Sequence, residues 1–165
     1  MPKTLAKRTT LQIGDKAPDF EAQDQHGNKI TLGQFKGKVL ILYFYPKDNT
    51  PGCTKEACSL RDRYSSFKKK NVVVLGVSKD SQNSHLKFIE KYELPFNLIP
   101  DINKSIHKEY GVWVEKTMYG RTTMGTQRTT FIIGPNQKIK HIFTKVDCEN
   151  HAEEVLDKLE ELKLT

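Results

Sequence analysis

The chain has 165 residues, of which 36% are hydrophobic and 28% charged, with a formal net charge of +7. That length suits one ordinary domain able to bury a core without disulfide or metal staples, and the balance excludes a disordered or fibrous chain. The positive charge is scattered, with its densest run at Lys68, Lys69 and Lys70, where a helix is expected to end and lysines offset the helix dipole. No recognition helix or RNA-binding motif accompanies it, so nucleic acid is not an expected partner.

Residues 1–10 carry Lys3, Lys7 and Arg8 but no apolar stretch of the kind found in secretory signals. They read as a flexible start to a single domain over residues 11–165. Residues 20–31 read as a small hairpin around His26, Gly27 and Asn28. Residues 39–45 form the longest apolar run, too short to cross a bilayer and of the kind expected for a strand buried on both faces. Residues 54–67 carry Ala57, Leu60, Tyr64 and Phe67 at helical spacing. Residues 72–77, rich in β-branched side chains, predict a second buried strand. A helix is expected over 84–92, then a strand over 129–133. Gly134, Pro135, Asn136 and Gln137 form a turn cluster leading into alternating residues 138–143, so these two segments predict a hairpin. Residues 151–164 close the chain with Val155, Leu156, Leu159 and Leu162 on one helical stripe. Helices interleaved with a buried mixed sheet predict an α/β fold.

Three cysteines, Cys53, Cys58 and Cys148, are too few and of the wrong parity for a secreted disulfide framework, and point to a reducing compartment. Cys53 is the informative one. Thr50 is a good helix N-cap and Pro51 a favoured first helical residue, which puts Cys53 at the third helical position. A thiol there meets the positive end of the helix dipole and unpaired backbone N–H groups, an environment that favours thiolate, the nucleophilic form. Lys47 and Lys55 could add to it. Cys53 also continues the apolar stripe through residues 57, 60, 64 and 67, so the competing reading is a small core hydrophobe.

Cys58 lies five residues on. In an unbroken α-helix that spacing separates the Cα atoms by about 8.6 Å and rotates the side chains apart by about 140°, beyond the roughly 7 Å that a disulfide tolerates. Either the two never bond or the first turn unwinds. The second course would suit a redox cycle in which Cys53 is oxidised to a sulfenic acid and attacked by Cys58; an incidental Cys58 is equally compatible with the spacing. Cys148 has no partner by spacing and reads as incidental. None of His26, His85, His107, His141 and His151 stands at zinc spacing from another histidine or a cysteine, so no metal site is expected and the histidines read as surface or core residues.

The stretch Pro46-Lys-Asp-Asn-Thr50-Pro-Gly-Cys53 resembles the peroxiredoxin pattern P-x-x-x-T-x-x-C. Continued to Thr-Lys-Glu-Ala-Cys58, it is similar to the peroxiredoxin Q branch, also called bacterioferritin comigratory protein. Tyr43-Phe-Tyr-Pro46, Leu60-Arg-Asp62, Tyr110-Gly-Val-Trp113 and Gly125-Thr-Gln-Arg-Thr-Thr-Phe131 follow the same resemblance in order, from about Gly14 onward. Val114 departs from it, standing where the family often has glycine.

The resemblance implies a thioredoxin-like fold with a central mixed sheet flanked by helices. It implies Cys53 as peroxidatic cysteine and Cys58 as resolving cysteine, joined transiently within one chain. Thr50 would hold thiolate and peroxide by hydrogen bonds as well as capping the helix, Pro46 would shield the thiolate, and Arg128 would donate to thiolate and peroxide oxygens. The implied substrates are hydrogen peroxide and organic hydroperoxides, and the implied reductant is a thioredoxin-type dithiol protein. No cofactor or metal is required, and a monomer in the cytoplasm, free of membranes, is expected. The alternative is a disulfide oxidoreductase or redox sensor on the same fold without fast peroxide turnover.

Overall fold

The computed structural model describes residues 9–164. Its centre is a five-stranded mixed sheet built on β3 (Val39–Phe44), whose six residues are all buried. β3 pairs in parallel with β4 (Val72–Ser78), which pairs in parallel with β5 (Asn97–Pro100). On its other edge β3 pairs antiparallel with β8 (Thr129–Ile133), and β8 with β9 (Ile139–Phe143), giving the order β5-β4-β3-β8-β9.

Because successive side chains of a strand point to opposite faces, β3 serves two cores. Val39, Ile41 and Tyr43 pack with Cys53, Ala57 and Leu60 of α1 (Pro51–Asp62), Phe67 of α2 (Tyr64–Lys69), Phe88 of α3 (Gln82–Tyr92), and Ala152, Val155 and Leu159 of α5 (His151–Glu161). Leu40, Leu42 and Phe44 face the opposite way, toward Phe20, Ile30, Phe131 and, from α4 (Ser105–Glu109) and the residues after it, Ile106, Tyr110 and Val112. Helices thus flank a mixed sheet in the thioredoxin-like manner expected, and the expected stripe through 53, 57, 60, 64 and 67 faces one core. The stripe runs across two helices rather than one, broken at Arg63.

Two hairpins stand outside the sheet. β1 (Glu21–Gln23) pairs with β2 (Lys29–Thr31), as expected for residues 20–31. β6 (Trp113–Met118) and β7 (Arg121–Thr126) form a second, which the sequence did not lead us to expect, as it did not β5 or α4. Most of the expected flexible start, residues 1–8, lies outside the described residues; Thr9 donates its hydroxyl hydrogen bond to the Tyr110 carbonyl at 2.7 Å.

Gly76 on β4 sits where the sheet leaves no room for a side chain. A Cβ there would lie 2.6 Å from Leu98 Cδ2 and 2.9 Å from Tyr43 Cζ. Gly76→Ala should therefore lower stability by about 1–3 kcal/mol, the usual cost of overpacking a core, seen as a lower urea midpoint.

Candidate active site

The loop from β3 to α1 is held from below before it reaches Cys53. Lys79 donates to the Pro46 carbonyl at 2.9 Å, and the Asp48 amide donates to Asp80 Oδ2 at 2.7 Å. The buried Asp48 carboxylate accepts from the Tyr45 hydroxyl at 2.6 Å and the Ser84 hydroxyl at 2.8 Å, and meets His85 Nδ1 at 2.7 Å. Asn49, in the left-handed region at φ 59°, turns the chain and accepts from the Tyr92 hydroxyl. Thr50 then takes the N-cap position with extended backbone, and Pro51 opens α1. The expected side-chain cap is absent. The Thr50 hydroxyl turns back to donate to the Lys47 carbonyl at 2.8 Å, and its oxygen accepts no backbone N–H of the first turn. Pro46 is half-buried.

This start places Cys53 in the first turn of α1, 1% exposed. Arg128, from the short link between β7 and β8, brings Nη2 to 3.4 Å from its sulfur. The same guanidinium donates from Nη1 to Glu56 Oε1 at 2.6 Å. Glu56 is fully buried, one helical turn beyond Cys53. Its Oε2 has no hydrogen bond among the described residues and faces Nε2 of the buried His151 at 3.7 Å. The His151 ring bridges Thr130 Oγ1 at 2.8 Å and Glu154 Oε1 at 2.9 Å. Burial pushes the Glu56 carboxyl above the usual carboxylate range, against the opposing pull of His151 and Arg128. Burial also works against the charge on Arg128, but Glu56 and Cys53 outweigh it and raise the guanidinium above its ordinary value.

Glu56 and His151 were not singled out in the sequence, nor was Lys116 of β6. Lys47 and Lys55, suggested by proximity along the chain, are exposed. Lys116 is instead half-buried and donates to the Thr126 carbonyl; burial, Arg128 and Lys79 lower its value, while Cys53 opposes them. The Tyr43 hydroxyl is buried without a partner among the described residues, its value raised by burial, Glu56 and Cys53. Cys58 is half-exposed on α1, where burial raises its thiol and Arg61 opposes the rise. Cys148, unpartnered by sequence spacing, comes close to the site: a Cβ built on Gly52 would lie 3.2 Å from Arg128 Nη2 and 3.7 Å from Cys148 Sγ. All three cysteines are free thiols.

Asp48, Asp80 and His85 offer ligand atoms within 4.8 Å of one another. Both Asp48 oxygens, His85 Nδ1 and one Asp80 oxygen are already engaged in the hydrogen bonds that hold the loop, which accounts for the cluster. A cavity of about 310 Å³ beside it is lined by Asp48, Asn49, Ser84, Lys87 and Lys91 and touches neither Cys53 nor Arg128; the chemistry sits with the thiol and guanidinium.

The same arrangement of strands and helices recurs in known proteins. A profile of the AhpC/TSA family matches residues 13–142. The chain is 45% identical over 150 residues to a putative peroxiredoxin Bcp of Coxiella burnetii, covering 91% of this chain and 99% of that one. It is 43% identical over 153 residues to peroxiredoxin Bcp of Bacillus subtilis, covering 93% and 98%. The chain belongs to the peroxiredoxin family, in its Q/Bcp branch. Among solved structures, a cysteine-to-serine mutant of Xylella fastidiosa PrxQ superposes with a TM-score of 0.87 at 37% identity, covering 93% of this chain and 98% of that one. A cysteine-to-serine mutant of Xanthomonas campestris peroxiredoxin Q gives 0.85 at 34%, with coverages of 93% and 98%. This peroxiredoxin is therefore a thiol peroxidase that works by cysteine oxidation, with a peroxide substrate and reduction of the thioredoxin type.

The buried carboxylate leaves a trace in the fold's response to pH. A carboxyl raised above its ordinary value of 4.5 binds its proton more tightly in the folded protein. The stability it contributes is fully present below that value and is lost as pH rises through the raised one. Glu56→Gln, which cannot ionise, should flatten this decline; urea midpoints measured from pH 4.5 upward in both proteins check it.

Proposed function

We propose that Cys53 is the peroxidatic cysteine, that Arg128 and Thr50 hold the reacting oxygens, that Pro46 limits solvent access to the sulfur, and that Cys58 resolves the oxidised sulfur within the chain. The observation that carries this reading is the buried Cys53 thiol in the first turn of α1 with a guanidinium nitrogen 3.4 Å from its sulfur.

In the reaction the Cys53 thiolate attacks one peroxide oxygen. The S–O bond forms as the O–O bond breaks, and the leaving oxygen carries negative charge until it takes a proton and departs as water or alcohol. Arg128 suits that moment. Its fork fixes several N–H donors in one plane, with Nη1 committed to Glu56 and Nη2 facing the sulfur, where the reacting oxygen would sit. Thr50 plays a narrower part than simple donation. With its proton on the Lys47 carbonyl, its oxygen is free to accept from a peroxide O–H, and donating to the sulfur means releasing Lys47.

Resolution by Cys58 requires α1 to open, because the helix runs unbroken from Pro51 to Asp62 through both cysteines. Its first turn is suited to opening: it has no side-chain cap and no acidic residue to complement the dipole. A thioredoxin-type dithiol protein then resets the disulfide by exchange.

We also propose that residues 11–165 act as one unit and as a monomer in a reducing cytoplasm. Singly scattered exposed apolar side chains (Ile13, Ile102, Tyr119, Met124 and Leu162) support a monomer, and three free thiols support the compartment. Among the described residues, no helix is long and apolar enough to cross a membrane.

Arg128→Lys keeps the charge but loses the fork, and should slow oxidation of Cys53 by hydrogen peroxide by about 10²–10³-fold in single-turnover measurements, the usual cost of losing a positioned donor. Cys53→Ser should not consume peroxide at all. A Cys53→Ser protein that still turns over peroxide, or an Arg128→Lys protein that reacts at the unmutated rate, would overturn these assignments.

A further inference from the structure

The resolving reaction has two possible thiols, and they stand differently to Cys53. Cys58 shares α1 with it, five residues on and about 140° around the helix. Burial, Arg61 and Asp62 shape the Cys58 thiol, and Cys53 does not enter. Cys148 lies beside Gly52, the residue immediately before Cys53. The position of the missing Cβ on Gly52 is within 4 Å of both the Cys148 sulfur and the Arg128 nitrogen that contacts Cys53. Cys148 also belongs to no helix or strand: it occupies the turn between β9 and α5. That turn is tied to the site's own framework, since Asp147 accepts from Asn150, Glu154 bonds both the Asp147 amide and His151, and His151 faces Glu56.

We propose that Cys148 is a second resolving thiol, able to capture the Cys53 sulfenic acid across Gly52 as an intrachain disulfide while α1 remains helical. The proposal rests on Cys53 as the peroxidatic cysteine. The Cys148 sulfur attacks the sulfenic sulfur of Cys53. The S–S bond forms and the S–O bond breaks, and the departing hydroxide takes the proton given up by Cys148 and leaves as water. Cys148 is oxidised and the sulfenic sulfur reduced, the oxidising equivalents having come from peroxide. The local field favours this order of events. Burial raises the Cys148 thiol, Arg128 opposes the rise, and charges at Glu56 and Cys53 add to it; conversion of the Cys53 thiolate to a neutral sulfenic acid removes the last of these. Capture by Cys148 needs the 144–150 connection to shift, whereas capture by Cys58 needs a helical turn to unwind.

The test compares Cys58→Ser with the double variant Cys58→Ser/Cys148→Ser. Each reduced protein is mixed with one equivalent of hydrogen peroxide, sulfenic acid is trapped with dimedone at intervals, and disulfides are mapped by peptide mass spectrometry. The Cys58→Ser protein should form a Cys53–Cys148 disulfide within one chain, and its sulfenic acid should decay severalfold faster than in the double variant. Equal lifetimes with no disulfide, sulfenic acid forming at Cys53 in both, would overturn the role of Cys148 and leave Cys53 untouched. A disulfide joining two chains would overturn the capture across Gly52. No sulfenic acid at Cys53 in the double variant would overturn both this proposal and the assignment it rests on.

Discussion

A carboxylate without solvent can persist in a protein only where cations and donors meet it, and Glu56 is placed under that constraint, with no exposure and Arg128 at 2.6 Å. Much of the site follows from satisfying it. The guanidinium that answers Glu56 through Nη1 has its second terminal nitrogen, Nη2, 3.4 Å from the Cys53 sulfur. The carboxylate's remaining oxygen faces His151, whose ring is in turn held by Thr130 and Glu154. One network therefore joins α1, β8 and α5 around the thiol. Its hydrogen bonds hold the guanidinium in place before any peroxide arrives, which is what preorganised stabilisation of a developing charge requires.

The other half of the frame is the loop before the thiol, held by Asp48 in the way that Glu56 holds Arg128. Tyr45, Ser84 and His85 converge on one buried carboxylate and fasten the loop to the start of α3. A third buried histidine, His107, meets Asp101 at 2.7 Å and Thr126 at 2.9 Å, at the base of the β6–β7 hairpin that carries Lys116. The histidines that read in the sequence as surface or core residues thus serve, where buried, as partners of buried acids. They tie the site's loops to the sheet without contacting the reacting sulfur.

What the sequence disclosed, and what it concealed, follow the reach of each signal. Residues 39–45 announce a doubly buried strand because both faces of β3 are covered, and Thr50 with Pro51 marks the first residue of α1 because capping is a local matter. The β6–β7 hairpin escaped because most of its residues are exposed, so no apolar alternation records it. β5 and α4 are only four and five residues long, too short for a period to register. The break at Arg63 was invisible because the apolar stripe continues through it. Cys53 could be found from its own neighbourhood, and Arg128 only through resemblance, since 75 residues separate the pair. Glu56 and His151 looked like an ordinary helical glutamate and a helix-start histidine until folding joined them. The missing Thr50 cap is a different case: the residue type and backbone fit the rule, but the side chain turns back toward Lys47 and its oxygen accepts no N–H of the first turn.

Glu56 holds Arg128, and Arg128 meets the sulfur, so the effect of Glu56 on the chemistry should run through the guanidinium. A double-mutant cycle tests it most directly, using the single-turnover rate at which hydrogen peroxide oxidises Cys53 in the unmutated protein, Glu56→Gln, Arg128→Lys and the double variant. If Glu56 works by holding the guanidinium against the sulfur, the double variant should be no slower than Arg128→Lys alone. If instead the two single losses multiply in the double variant, Glu56 and Arg128 act independently, and Glu56 does not work by positioning the guanidinium.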